Sequence, residues 1–296
     1  MVETGLNGRT VVVTGANNPV GIGAAVARAF GDQRAKIFLH YFRVAKPSRA
    51  KVDLDRAGEQ DPGESFYYEQ GSKSADEVLK ALAIPGVDTY AWEADFTDPR
   101  TVLELFDKAE SELGPVEVLV NNAANWEADT FLPEDVPLAA DHVEKWTHRP
   151  RTIDAGSFDR LFAVNARAVA LLMAEFAKRH IRRGAKWGRI VNISTDGAYC
   201  FPSEVSYGAS KLALEGLTRS AAVELGRFGI TVNAISPGPI QTGWITPELE
   251  SDIIPNIPLG RLGEPADIAD VVVFLASNQA RWITGQRIHV GGGHSM

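Results

Sequence analysis

The stretch Val11-Val12-Val13-Thr14-Gly15-Ala16-Asn17-Asn18-Pro19-Val20-Gly21-Ile22-Gly23 decides the fold. Residues 10–13 are a β-branched run with the composition of a strand. Residues 21–30 are small and apolar at helical spacing. Glycines between a strand and a helix let the backbone approach a pyrophosphate, which then rests on the helix N-terminus. In a doubly wound sheet the dinucleotide binds at this first βα unit.

Outward from that stretch, strand-like and helix-like segments alternate to the end of the chain. Strand patterns fall at 36–41, 89–94, 116–120, 189–194, 231–235 and 287–290. Helical patterns fall at 78–83, 100–113, 158–181, 206–227 and 265–276. Continuous apolar strands separated by helices predict an α/β fold, a Rossmann-type doubly wound parallel sheet covered on both faces. Two polar, turn-rich stretches, 43–85 and 125–156, interrupt the rhythm. Neither has its own hydrophobic pattern, so they are expected to be loop insertions in a single domain spanning 1–296.

The bulk properties narrow the function. The 296 residues are 45% hydrophobic and 23% charged, as in an ordinary soluble globular protein. A net charge of −8 argues against nucleic acid or an anionic membrane surface as partner. The lone Cys200 excludes an internal disulfide and a multi-cysteine metal site. No apolar run approaches the roughly 18 residues of a membrane span. Residues 1–10 lack a signal-peptide pattern, and the expected location is the cytoplasm.

A second stretch carries chemistry. In Tyr207-Gly208-Ala209-Ser210-Lys211 the Tyr and Lys are four apart, on one face of a helix. An ammonium beside a phenol favours the phenolate, so the Tyr207 pKa is expected to fall from about 10 toward working pH. Such a phenol can donate and accept a proton.

With these motifs together, the chain resembles the short-chain dehydrogenase/reductases, closest in pattern to the 3-oxoacyl-[acyl-carrier-protein] reductase-like members. Four motifs match in order: Thr14-Gly15 with Gly21-Ile22-Gly23, Asn121-Asn122-Ala123, Tyr207 with Lys211, and Ser236-Pro237-Gly238 with Thr242. The resemblance implies Tyr207 as general acid or base, Lys211 as the group that lowers its pKa and holds the nicotinamide ribose, and Asn165 as the anchor of a proton-relaying water. It also implies a hydroxyl that polarises the substrate oxygen. Counting back thirteen residues from Tyr207 selects Ser194; counting from the preceding strand selects Thr195. Side chains alternate along a strand, so the two cannot project identically, and both remain candidates. The hydride resides on the cofactor, so no metal is required.

The resemblance further implies that the dinucleotide is held by Thr14, Gly15, Asn17, Asn18, Gly21, Ile22 and Gly23, by Asp95 and Phe96 near the adenine, and by Asn122 and Ala123. Pro237, Gly238, Ile240 and Thr242 would flank the nicotinamide. One departure is visible: five residues lie between Gly15 and Gly21 where the family has three. Pro19 stiffens this longer turn, and Asn17 and Asn18 can bond their own backbone. The second strand ends His40-Tyr41-Phe42-Arg43, with no carboxylate to take a ribose 2′-hydroxyl, and Lys46 and Arg49 follow. Tyr41 and Arg43 therefore favour NADP(H), with NAD(H) as the alternative.

Residues 243–262 are expected to form a substrate lid. Tyr199, Phe201 and Cys200 are expected to line an apolar pocket, with Trp126 and Trp146 as further covers. The cations Lys178, Arg179, Arg182, Arg183, Lys186 and Arg189 fit either an acyl carrier protein or a helix C-terminus. Family members commonly form homotetramers or homodimers, and Ile283-Thr284-Gly285-Gln286 matches the last segment of such an interface. The reaction expected is hydride transfer between nicotinamide and a small-molecule ketone or secondary alcohol, conceivably a 3-oxoacyl thioester. The rivals are a non-catalytic dinucleotide-binding sensor or scaffold, which has no need of a poised phenol, and a non-redox epimerase or lyase on the same fold.

Overall fold

The computed structural model describes residues 3–45, 61–138 and 150–295. Among these the strands are β1 (Thr10–Thr14), β2 (Lys36–Tyr41), β3 (Thr89–Glu93), β4 (Val116–Asn121), β5 (Asp129–Thr130), β6 (Arg151–Thr152), β7 (Gly188–Ile193), β8 (Ile230–Pro237) and β9 (Arg287–Val290). The helices are α1 (Ile22–Asp32), α2 (Glu64–Gly71), α3 (Asp76–Ala81), α4 (Thr101–Leu113), α5 (Ala155–Phe162), α6 (Val169–Arg182), α7 (Val205–Leu225), α8 (Pro247–Ile253) and α9 (Pro265–Ala276). Seven strands form one sheet in the order β3-β2-β1-β4-β7-β8-β9, all parallel. This is a doubly wound, Rossmann-type α/β fold. β5 and β6 form a separate parallel pair.

Strand alternation builds two cores. Val11 and Val13 join Ala24, Ala27 and Phe30 of α1 and Ile268, Val272 and Leu275 of α9 on one face. Val12, between them, joins Phe38, Leu105, Phe106, Leu172 and Phe176 on the other. The strand order reverses between β1 and β4, and the crevice beyond their carboxyl ends is where such sheets bind ligands.

Most predicted segments are present within a few residues, and one differs for a visible reason. The helix expected over 158–181 begins at Ala155, because Asp154 accepts from the Ser157 amide and forms a capping box with it. It then passes through a π-helical turn, Ala163–Ala168, before continuing as α6. The insertions are not merely loops: α2 lies within 43–85 and the β5–β6 pair within 125–156. Lys46, Arg49 and Trp146 lie outside the described residues. No helix among the described residues is long and apolar enough to cross a membrane.

Candidate active site

The glycine turn is shaped by close backbone approaches. Gly15 has φ +68°, and a Cβ there would stand 2.7 Å from Ala123 Cα; one on Gly23 would stand 2.3 Å from the Gly15 carbonyl oxygen. The polar side chains around it brace backbone. Thr14 Oγ1 accepts from the amides of Asn122 and Ala123, each at 3.0 Å. Asn122 Nδ2 donates to the carbonyls of Thr14 and Gly15 at 2.9 and 2.8 Å. Asn18 Oδ1 accepts from the Val20 amide at 3.0 Å, a local turn bond as expected. Asn17 differs from expectation: its Nδ2 reaches the carbonyls of Gly71, the last residue of α2, and of Lys73 just past it. Gly21 begins α1 with no side-chain cap, and no acidic residue occupies the first turn. The amides there are left to an external acceptor, which fits a pyrophosphate.

At the far end of this crevice, the side chains expected around adenosine have protein partners of their own. Phe96 is buried and stacks on His40, with ring centroids 3.9 Å apart, so its ring is core. Burial holds the His40 imidazole down at about 4. Asp95 accepts from the Thr97 amide at 2.8 Å, and burial pushes the Tyr41 phenol up. Arg43 is exposed, and its guanidinium grips Glu93 at the end of β3 through Nε at 2.8 and 3.0 Å. Glu93 was not singled out in the sequence; its register opposite Tyr41 follows only from strand pairing.

Helix α7 brings up Tyr207 and Lys211, the pair expected to be catalytic. Lys211 is only 2% exposed. Its Nζ donates to the Ile193 carbonyl at 2.8 Å and lies 5.7 Å from the centre of the Tyr207 ring. Desolvation pulls its pKa to about 8. The expectation for Tyr207 is reversed: its phenol is pushed above the ordinary range, by burial first, then by Glu204, Tyr67 and Asp196. Burial disfavours the charged form of each.

Two further polar groups fix this helix. Asn165 is fully buried within the π-helical turn. Its Nδ2 donates to the Asn125 carbonyl and to Ser210 Oγ, at 2.8 and 3.0 Å, and its Oδ1 accepts from the Asn125 amide. It thus ties the segment after β4 to α7, one position before Lys211. Below it, Asn121 donates to Asn192, and Asn192 to Thr218 of α7.

The two hydroxyl candidates part company. Ser194 is buried and donates to Glu215 at 2.7 Å, a carboxylate that also holds Arg287. Thr195 is half-buried, and its hydroxyl makes only long contacts, 3.4 Å, with Gly197 N and Asp196.

The roof departs from expectation in part. Ile245, Leu249, Ile257 and Leu262 of the 243–262 segment pack into a small core of their own, so these side chains are not a free apolar lining. Its root is a parallel bridge between Ile240 and Gly263. Gly238 donates to the Val290 carbonyl, where a Cβ would stand 2.7 Å from Gly291 Cα, and follows Pro237 at the end of β8. The Thr242 carbonyl accepts from Asn18. Cys200 and Tyr199 point outward; Tyr199 lies under Arg287. Phe201 stays 6.1 Å from Tyr207, ring centre to ring centre. Trp126 packs on the lid core, and its indole donates to Glu204, buried one turn before Tyr207.

The chain is similar over most of its length to proteins of one family. A family model described as Enoyl-(Acyl carrier protein) reductase matches residues 63–295. The chain is 32% identical over 286 residues to an uncharacterized oxidoreductase, YjdA, of Bacillus subtilis, covering 96% of each chain. It is 34% identical over 233 residues to a 3-oxoacyl-[acyl-carrier-protein] reductase, FabG, of Staphylococcus aureus, covering 77% of this chain and 86% of the relative. The solved structure of the angucycline C-6 ketoreductase LanV with bound NADP superposes with a TM-score of 0.74 at 30% identity, covering 98% of this chain and 96% of that one. The chain belongs to the short-chain dehydrogenase/reductase family and is an NAD(P)-dependent oxidoreductase of that type.

Proposed function

We propose that the protein reduces a small neutral ketone with NADPH, or runs the reverse oxidation of a secondary alcohol. The observation that carries this reading is the Tyr207–Lys211 pair on one face of α7, with Lys211 buried beside the Tyr207 ring. The bound nicotinamide supplies or accepts the hydride. A phenol carries its proton at neutral pH, and Tyr207 is the group that gives it to a carbonyl oxygen. Lys211 has two ammonium protons beyond the one donated to Ile193, enough to hold a ribose diol. Thr195 is the hydroxyl we assign to the substrate oxygen, since Ser194 is engaged with Glu215. Asn165 acts through position: it fixes α7 against the segment after β4.

The end of β2 supports NADP(H) over NAD(H), because Arg43 is the charged group projecting there. The C-terminal cations of α6 do not support a carrier-protein dock. Arg179 is held by Asp107, Glu110 and Glu175, Lys178 by Glu175, and Arg189 is buried against Trp187. For assembly we propose a homo-oligomer through the β9 edge. Val223 and Trp282 are 85% and 97% exposed, and Gly285 lies against Ala222, so both flank one surface.

The test is consumption of NADPH and NADH with a panel of ketones, in wild type and Tyr207→Phe. The variant should lose 10²–10⁴-fold in turnover while still binding NADPH. A fully active Tyr207→Phe protein would end this reading.

A further inference from the structure

Helix α2 comes from the insertion at 43–85, and both of its ends are fastened to the cleft. At its start, the Gly63 amide donates to the Gly243 carbonyl at 2.8 Å. Gly243, at φ +99°, lies so near the Phe66 ring that a Cβ there would stand 2.8 Å from it. At its far end, Asn17 of the glycine turn holds the carbonyls of Gly71 and Lys73. The helix therefore bridges the lid and the dinucleotide turn.

Its sequence carries three successive rings, Phe66, Tyr67 and Tyr68, which a helix fans over about 200°. Phe66 meets the lid. Tyr68 is buried on the side of Glu64 and Glu127, and its phenol is pushed up to about 12. Tyr67, one turn after Gly63, comes near enough to Tyr207 to influence its ionisation. Phe201 flanks Tyr207 from another segment, and Trp126 is tied to Glu204 one turn away. Rings from two separate segments, Tyr67 of α2 and Phe201, thus flank Tyr207. The charged groups around Tyr207 are of both signs: Lys211 beside the ring, Glu204, which holds the Trp126 indole, and Asp196, which pairs with His294.

We propose that α2 is the substrate-selecting wall of this active site, and that Tyr67 favours ketones whose carbonyl is attached to a flat, ring-sized apolar group over short aliphatic ones. The inference rests on the ketone-reductase reading above and deepens it. A ring face against Tyr67 adds contact that a short alkyl chain cannot make, and such aromatic pairs are worth about tenfold in affinity.

The experiment compares kcat/KM for 1-tetralone and 2-butanone with saturating NADPH. In Tyr67→Ala the tetralone-to-butanone ratio should fall about tenfold, mainly through the KM for tetralone, and Tyr67→Phe should restore it. If Tyr67→Ala does not fold, Tyr67→Leu, which keeps bulk without a ring face, carries the same expectation. An unchanged ratio overturns the inference alone, as does a Phe variant that falls as far as Ala. A wild type that reduces neither ketone also overturns it, whereas the ketone-reductase reading stands or falls on the wider panel and on Tyr207→Phe.

Discussion

The two ends of the cleft are built on opposite principles. At the glycine turn, the side chains of Thr14, Asn17 and Asn122 are bonded to backbone, and what faces the crevice is peptide amide. At α7, Tyr207 and Lys211 are buried titratable groups held away from their ordinary ionisation, and Lys211 has a single carbonyl partner. The first arrangement offers fixed dipoles, suited to a pyrophosphate whose charge does not change. The second holds Lys211 near working pH while Tyr207 keeps its proton, suited to a step in which a proton moves. Saturation around the struts Asn165 and Ser194 allows that imbalance to persist without loosening the helix.

The largest expected effect breaks the catalytic end. The folded protein holds the Lys211 proton with a pKa of about 8, against 10.5 when unperturbed. Between these values the unfolded chain binds more protons, so stability rises with pH from about 8 upward. Below about 8 the full penalty of burying the charge applies, roughly 3 kcal/mol. Above about 10 the raised phenol of Tyr207 works the other way, since the unfolded phenol ionises first. Thermal melts should therefore climb between pH 8 and 10 in wild type and lose that climb in Lys211→Met. A flat wild-type profile would mean that Lys211 is not held away from its ordinary ionisation.

A smaller effect is expected at the saturated end. Asn122→Ala removes two short bonds to the Thr14 and Gly15 carbonyls. The cost should be about 2 kcal/mol, read as a lower melting temperature and weaker NADPH binding. Turnover at saturating NADPH should change much less, because α7 is held by other groups. Equal losses in binding and in saturated turnover would show that the two ends are not built independently.

Much of this was legible in the sequence. Continuous apolar strands gave away the sheet, and the spacings of Gly15, Gly21, Tyr207 and Lys211 located both ends of the cleft. The directions in which side chains point were not legible, because they depend on partners far along the chain. Asn17 meets Gly71 and Lys73, and Arg43 meets Glu93. The Tyr207 shift was misjudged for the same reason: the i,i+4 spacing shows Lys211, whereas burial and Tyr67 come from tertiary packing. Helix α2 lacks an apolar stripe, so periodicity passes over it. Helix α8 did leave a signal, Thr246 capping with Pro247 at the first helical position.

The smallest effect sharpens the comparison at its polar limit, where the saturated end meets solvent. Arg43 and Glu93 form a forked pair there. As an exposed ion pair it adds little to stability, but it bears on which cofactor is preferred. A ribose 2′-phosphate has to share the guanidinium with a carboxylate that repels it. Glu93→Gln should therefore raise the NADPH-to-NADH preference, by about tenfold if the freed guanidinium makes a charge-assisted bond to the phosphate. Arg43→Ala does more than remove a cation. It leaves Glu93 without its cation, a carboxylate at the end of β3 able to accept from a 2′-hydroxyl, and should turn the preference toward NADH. The double variant has neither charge and should fall between the two. Ratios of kcat/KM for the two cofactors in these three variants separate the contributions, and identical ratios throughout would remove this pair from cofactor selection.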